Sequence, residues 1–104
     1  MKVVVIGRSD TLYDTIIYLV EKGHDIALII TCSGTQYQYT RRSENFQKLA
    51  EEIGVEFIKT EDLDAPSILD SIKSHNPDIA ISINWKYLIS YSVISSFKHG
   101  ILNA

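Results

Sequence analysis

The stretch Asn84-Trp85-Lys86-Tyr87-Leu88-Ile89-Ser90 sets an indole and a phenol two residues apart, directly after the aliphatic run DIAISI. At the carboxyl end of a central strand, such a pair can wall a flat heteroaromatic ring while neighbouring backbone amides read its edge. The same two rings can instead cover the end of a sheet, and the residues alone leave both roles open. Asn103 ends a second aliphatic run, ILN, and its carboxamide both donates and accepts hydrogen bonds. An asparagine in that position is also a common turn former. Gly7, Arg8 and Ser9 follow the first aliphatic run, KVVVI. Backbone N–H groups at a helix start attract anions, so these three are candidates for touching a phosphate or carboxylate of a substrate; a plain helix cap is the alternative.

Other chemistries find little support. A dinucleotide fingerprint needs three glycines in G-x-G-x-x-G, for the turn, the pyrophosphate and the helix packing; GRSDTL has one. A phosphoacceptor receiver needs an aspartate after its third strand and a lysine after its fifth, where this chain has VEFIKT and Asn103. His24, His75 and His99 have no ligand spacing among them, so no metal site is expected. Cys32 has no partner for an internal disulfide and reads as a small buried hydrophobe after a strand.

Ten basic residues against thirteen acidic ones give a net charge of −3, with no basic stripe of the kind that phosphate contacts need. Arg41-Arg42, the one basic pair, reads as solvated loop. The longest apolar runs are far shorter than a membrane span, which takes ~20 residues. MKVVVIG lacks the long apolar stretch of a secretory signal, so a strand at the N-terminus and a cytoplasmic location are expected.

These candidates need elements to hold them. Positions 2–6 are a β-branched run bounded by Gly7, as in a strand covered on both faces. Leu12, Ile16, Leu19 and Val20 recur at helical spacing over 10–22, with Ser9 or Asp10 to cap the start and Gly23 the end. DIALIIT predicts a second buried strand, and the long polar segment TCSGTQYQYTRRS after it reads as a functional or mobile loop. Phe46, Leu49, Ala50 and Ile53 make one face of a helix over 43–53, closed by Gly54 and followed by the strand VEFI. Asp64 before Ala65-Pro66 starts a third helix, and Asn76-Pro77 ends it before DIAISI. A short helical stretch holding Leu88, Ile89, Val93, Ile94 and Phe97 then leads through Gly100 to ILN. One alternation of strand and helix over residues 1–104 predicts a single α/β domain: an open, parallel, five-stranded Rossmann-like sheet with helices on both faces. Ligands in such sheets lie outside the carboxyl ends of the strands, which would bring Asn103 and the Trp85 segment to one crevice.

The order of these pieces resembles the N-terminal part of the folate-dependent formyltransferases, which act on methionyl-tRNA, glycinamide ribonucleotide or amino-sugar nucleotides. The residues that carry the resemblance are KVVVIGRSD, GHDIALIIT, FQKLAEEIGVEFIKTEDLD and, above all, PDIAISINWKYLISYSVISSFKHGILNA. In that family the last block runs into N-x-H, and Asn103-Ala104 are similar to its first two positions, so the chain is expected to end one residue before the family's catalytic histidine. The resemblance implies a formyl donor, 10-formyltetrahydrofolate, held by Trp85, Lys86, Tyr87, Leu88 and Ile89, with Asn103 as the catalytic asparagine and transfer to an amine. It implies that this chain alone does not transfer a formyl group. GRSD departs from the Gly-Thr-Pro and Gly-Ser-Asn starts of the tRNA and purine enzymes, which favours a small amine such as an amino-sugar nucleotide as substrate; a nucleic-acid partner is implied only for a tRNA enzyme. A formyltetrahydrofolate hydrolase and a non-catalytic nucleotide- or partner-binding module are the alternatives. The last strand, left as an open edge, would favour self-association.

Overall fold

The computed structural model describes residues 1–32 and 42–104; most of the polar segment after the second strand, including Arg41, lies outside the described residues. Five strands, β1 (Lys2–Gly7), β2 (Asp25–Thr31), β3 (Glu56–Lys59), β4 (Ile79–Ile83) and β5 (Ile101–Asn103), alternate with four helices. The helices are α1 (Asp10–Glu21), α2 (Ser43–Ile53), α3 (Pro66–Ser74) and α4 (Tyr91–Ile94). All pairings are parallel, in the order β3-β2-β1-β4-β5. The chain therefore builds outward from β1 to one edge, returns, and builds to the other. The open Rossmann-like sheet expected from the alternation is the one observed.

Strand alternation divides the core. Val3 and Val5 face α1 and α2, meeting Leu12, Ile16, Phe46 and Leu49; Val4 and Ile6 face the other way, meeting Leu63, Ile72, Val93 and Phe97. Phe46 is buried and set edge-on to Tyr13, with ring centroids 5.5 Å apart. Full burial of a side chain of this size contributes roughly 1.5–3 kcal/mol. β2 keeps step only through an irregularity: Val3 pairs with Ile26 but Val4 with Leu28, so Ala27 is an extra residue. A regular strand would put Ile26 and Leu28 on one face. The bulge sends Ile26 to the α1/α2 side and Leu28 to the α3/α4 side.

The helix ends follow local chemistry with two corrections. Ser9 caps α1, its Oγ accepting the Leu12 N–H at 3.4 Å, and α2 ends on Gly54 at φ 76. α3 begins at Pro66 as expected, but its cap is Ala65 and not Asp64, because the Asp64 carboxylate is turned to another loop. The stretch read as helical from Leu88 is helical only over Tyr91–Ile94. Residues 85–90 form an irregular loop before Ser90, whose Oγ accepts the Val93 N–H at 3.3 Å. Among the described residues, no helix is long and apolar enough to cross a membrane.

Candidate functional site

In this topology the order in which strands are added reverses between the parallel neighbours β1 and β4, and there the two strands run very close. Gly7 pairs with Ile83, and a β-carbon on Gly7 would stand 1.9 Å from the Ile83 carbonyl oxygen. The Arg8 N–H donates to that same oxygen at 3.1 Å, and Arg8 Nε donates to the Asn84 carbonyl at 3.1 Å. Gly7 and Ser9 are buried, and the Ser9 hydroxyl is engaged as the helix cap. Of the three residues singled out for an anion, Gly7 and Arg8 thus tie the exits of β1 and β4 together, and Ser9 caps α1.

The cleft opens one strand further over. It has a volume of about 290 Å³ and is lined by Ser82, Trp85, Tyr87, Leu88, Ile89, Ile94, Ile101 and Asn103. Ser82 and Asn103 are register partners on β4 and β5, so their side chains lie on the same face of the sheet. The Ala104 N–H continues the ladder to the Ser82 carbonyl at 2.8 Å. The two rings meet edge-on, with centroids 5.8 Å apart, and the indole is half-buried against the core behind it. Leu88, at 99% exposed, is an aliphatic group held in water on this loop. Four of the five loop residues named from sequence line the cleft. Lys86 does not; its ammonium lies over the Tyr87 ring, 5.5 Å from the centroid.

The wall formed by the 85–90 loop is braced from the β3–α3 loop. Tyr87 Oη donates to Glu61 Oε1 at 2.7 Å, and Ser90 Oγ donates to Asp64 Oδ1 at 2.5 Å. Hydrogen bonding to Glu61, helped by burial, holds the Tyr87 phenol above its ordinary pKa. Buried Cys32, at the exit of β2, is pushed up first by burial and then by the Glu61 charge, with Arg8 and Lys86 pulling the other way. Glu61 and Asp64 were missed from sequence because nothing in TEDLD marks which carboxylates fold back on a loop 26 residues later.

All three histidines stand away from the cleft. His24 precedes β2, His75 meets Glu56 at 2.6 Å beside the start of β3, and the His99 N–H donates to the Asp78 carbonyl just before β4. Each is at the amino-terminal rim of the sheet, opposite the strand exits. Among the described residues, no three His, Cys, Asp or Glu side chains gather as metal ligands would. What the cleft offers is an apolar slot, two aromatic rings, one carboxamide and the Ser82 hydroxyl, the Tyr87 hydroxyl being engaged by Glu61. This suits a flat heterocycle with polar edges.

Comparison with known proteins supplies the rest. The chain is 24% identical over 111 residues to a methionyl-tRNA formyltransferase of Geobacter metallireducens, and 28% identical over 105 residues to one of Thermotoga neapolitana. The likeness is to formyltransferases. It takes in 99% of this chain but 34% of each relative, so the chain spans about a third of the length of the curated relatives it matches. No protein-family model matches. In three dimensions the chain superposes on the crystal structure of glycinamide ribonucleotide transformylase 1 from Geobacillus kaustophilus with a TM-score of 0.68 and 17% identity. The match takes in 98% of this chain and 56% of that one, and it bears on the fold.

Proposed function

We propose that this chain is the N-terminal, donor-binding part of a folate-dependent formyltransferase, with the cleft between β4 and β5 as the seat of the donor's pteridine. The observation that carries this reading is the joint lining of one cleft by Trp85, Tyr87 and Asn103, in a chain similar to formyltransferases over nearly its whole length. At about 290 Å³ the cleft falls just below the usual range of ligand pockets, roughly 300–1,000 Å³, which fits a bicyclic head group and leaves the rest of the donor outside.

In this reading each residue has a task. Trp85, Tyr87, Leu88 and Ile89 give the ring an apolar wall, and Lys86, exposed beside the mouth, supplies positive charge toward the donor's acidic tail. The Asn103 carboxamide donates to the formyl oxygen, where charge gathers as an amine attacks; one such donor in other enzymes contributes about 2.7–4 kcal/mol. The new bond joins the amine nitrogen to the formyl carbon, the bond from that carbon to the folate nitrogen breaks, and the amine's proton passes through a base to that departing nitrogen. No histidine of this chain reaches the cleft rim to serve as that base. Formyl transfer therefore belongs to an assembly that brings a proton-transferring group to Asn103.

The acceptor is an amine. The relatives' names point to methionyl-tRNA, whereas the net charge of −3 favours a small amine such as an amino-sugar nucleotide. Trp85 is the sole tryptophan, so its fluorescence tests the donor site directly. Titration with 5-formyltetrahydrofolate is expected to quench it saturably; an unchanged signal at millimolar ligand would overturn the reading. Transfer of a labelled formyl group by the polypeptide that carries this segment, offered methionyl-tRNA and amino-sugar nucleotides side by side, identifies the acceptor.

A further inference from the structure

The Ser82 hydroxyl is a polar group in a place that packing does not require. β4 reads IAISI, and the preceding residue on the same face, Ala80, is buried and apolar. Ser82 is 0% exposed, and its Oγ has no hydrogen-bond partner among the described residues. The strands on either side of it, β1 and β5, lie wholly within those residues. Buried hydroxyls in folded proteins nearly always have a partner, and one left without it weakens the fold. Thr31 Oγ1 is in the same condition, but it adjoins the undescribed residues 33–41. Ser82 differs in lining the cleft, and in standing next to Asn103 on the same face of the sheet.

We propose that Ser82 is a specificity-determining residue of this cleft: its hydroxyl is kept without a protein partner so that it can hydrogen-bond a polar atom of the bound head group, beside the Asn103 carboxamide. The inference rests on the donor-site reading above. Among the other lining residues, the Tyr87 hydroxyl is engaged by Glu61, Trp85 brings a single indole N–H on the loop wall, and Leu88, Ile89, Ile94 and Ile101 are hydrocarbon. Ser82 and Asn103 then form a polar pair at the sheet side of an otherwise apolar slot. A ligand that offers two hydrogen-bonding atoms along one edge satisfies both, and an equally flat hydrocarbon satisfies neither. Discrimination of this kind is strong because a mismatched ligand leaves buried polar groups unpaired.

Ser82→Ala separates a ligand contact from a structural one, because the two roles move stability and affinity differently. Removing a hydroxyl that has no partner in the unliganded protein leaves the melting temperature unchanged or raises it. Removing one hydrogen bond to ligand weakens binding about five- to tenfold. Both are measurable on the same sample, by thermal melt and by calorimetric titration with 5-formyltetrahydrofolate. Ser82→Cys, which keeps the volume but hydrogen-bonds weakly, is expected to fold normally and to bind less tightly than the parent. Parent-like affinity in both variants overturns the assignment while leaving the donor site intact. A lowered melting temperature in Ser82→Ala also overturns it, by giving the hydroxyl to the fold. Absence of binding by the unaltered chain removes the donor-site reading and this inference with it.

Discussion

The Tyr87 hydroxyl donates to the Glu61 carboxylate across 2.7 Å, and three residues further along both loops Ser90 repeats the contact on Asp64. Each pair is separated by 26 residues, so the two loops run in step and the cleft wall is held at two points. Glu61→Ala is expected to shift the emission maximum of Trp85, whose ring lies against Tyr87, with little change in melting temperature. Glu61→Gln, which still offers a carbonyl acceptor, is expected to leave the emission as it is. Identical spectra in Glu61→Ala and the parent would show that the brace does not position the wall.

The same contact has a pH signature. Tyr87 is raised above the ordinary tyrosine value, about 10, chiefly by its hydrogen bond to Glu61. A group whose folded pKa is raised lends stability that is complete below its unfolded pKa and is lost as pH climbs through the folded one. The brace is therefore expected to persist through the neutral range and to fail in alkali. In a spectrophotometric titration of the six tyrosines, one phenol is expected to ionise late, and to move down in Glu61→Ala.

At the opposite rim, Asp78 acts with the reverse sign. The Lys2 backbone N–H donates to its Oδ2 at 2.7 Å, and that bond, aided by Lys98 at 3.8 Å, holds the carboxyl below the ordinary aspartate value of about 3.9. Its contribution is present above that value and lost as pH falls through the lowered one. Melting temperatures of the parent and Asp78→Ala are expected to differ at neutral pH and to converge in acid. A constant gap across the acid range would show that the carboxylate's charge is not what ties β1 to β4 there.

Gly7 cannot carry a side chain. Its φ of 143 lies where β-carbons are disfavoured, and a methyl group there would collide with the Ile83 carbonyl. Gly7→Ala is expected to cost about 3 kcal/mol, from backbone strain and overpacking together. That is a large part of a typical domain stability of roughly 5–15 kcal/mol, so loss of soluble expression or a much lower denaturant midpoint is the expected readout.

Cys32 is buried, with its thiol pushed up by burial and by Glu61. The thiolate is the reactive form, so alkylation by iodoacetamide at neutral pH is expected to be slow in the folded chain and fast in denaturant. Equal rates in both states would place the sulfur at the surface.

Much of this was legible in the chain itself. Element order, the second strand's bounds, the helix over 43–53 and the aromatic pair after the fourth strand all follow from signals within a few residues: hydrophobic period, capping side chains, glycine and proline. Those local rules failed at Asp64 and over 85–90, where a partner in another loop outweighed helix propensity.

The sequence by itself determined an alternating parallel α/β sheet and the exits at which Trp85, Tyr87 and Asn103 would stand, because periodicity and chain breaks act over short range. Only the tertiary structure decided that Arg8 is tied to Asn84, 76 residues away, that the cleft opens between β4 and β5, and that Ser82 keeps a hydroxyl there without a partner among the described residues. Each of these depends on which strands become neighbours and in what register. A one-residue bulge such as that at Ala27 changes which face a side chain takes while leaving little trace in the local pattern.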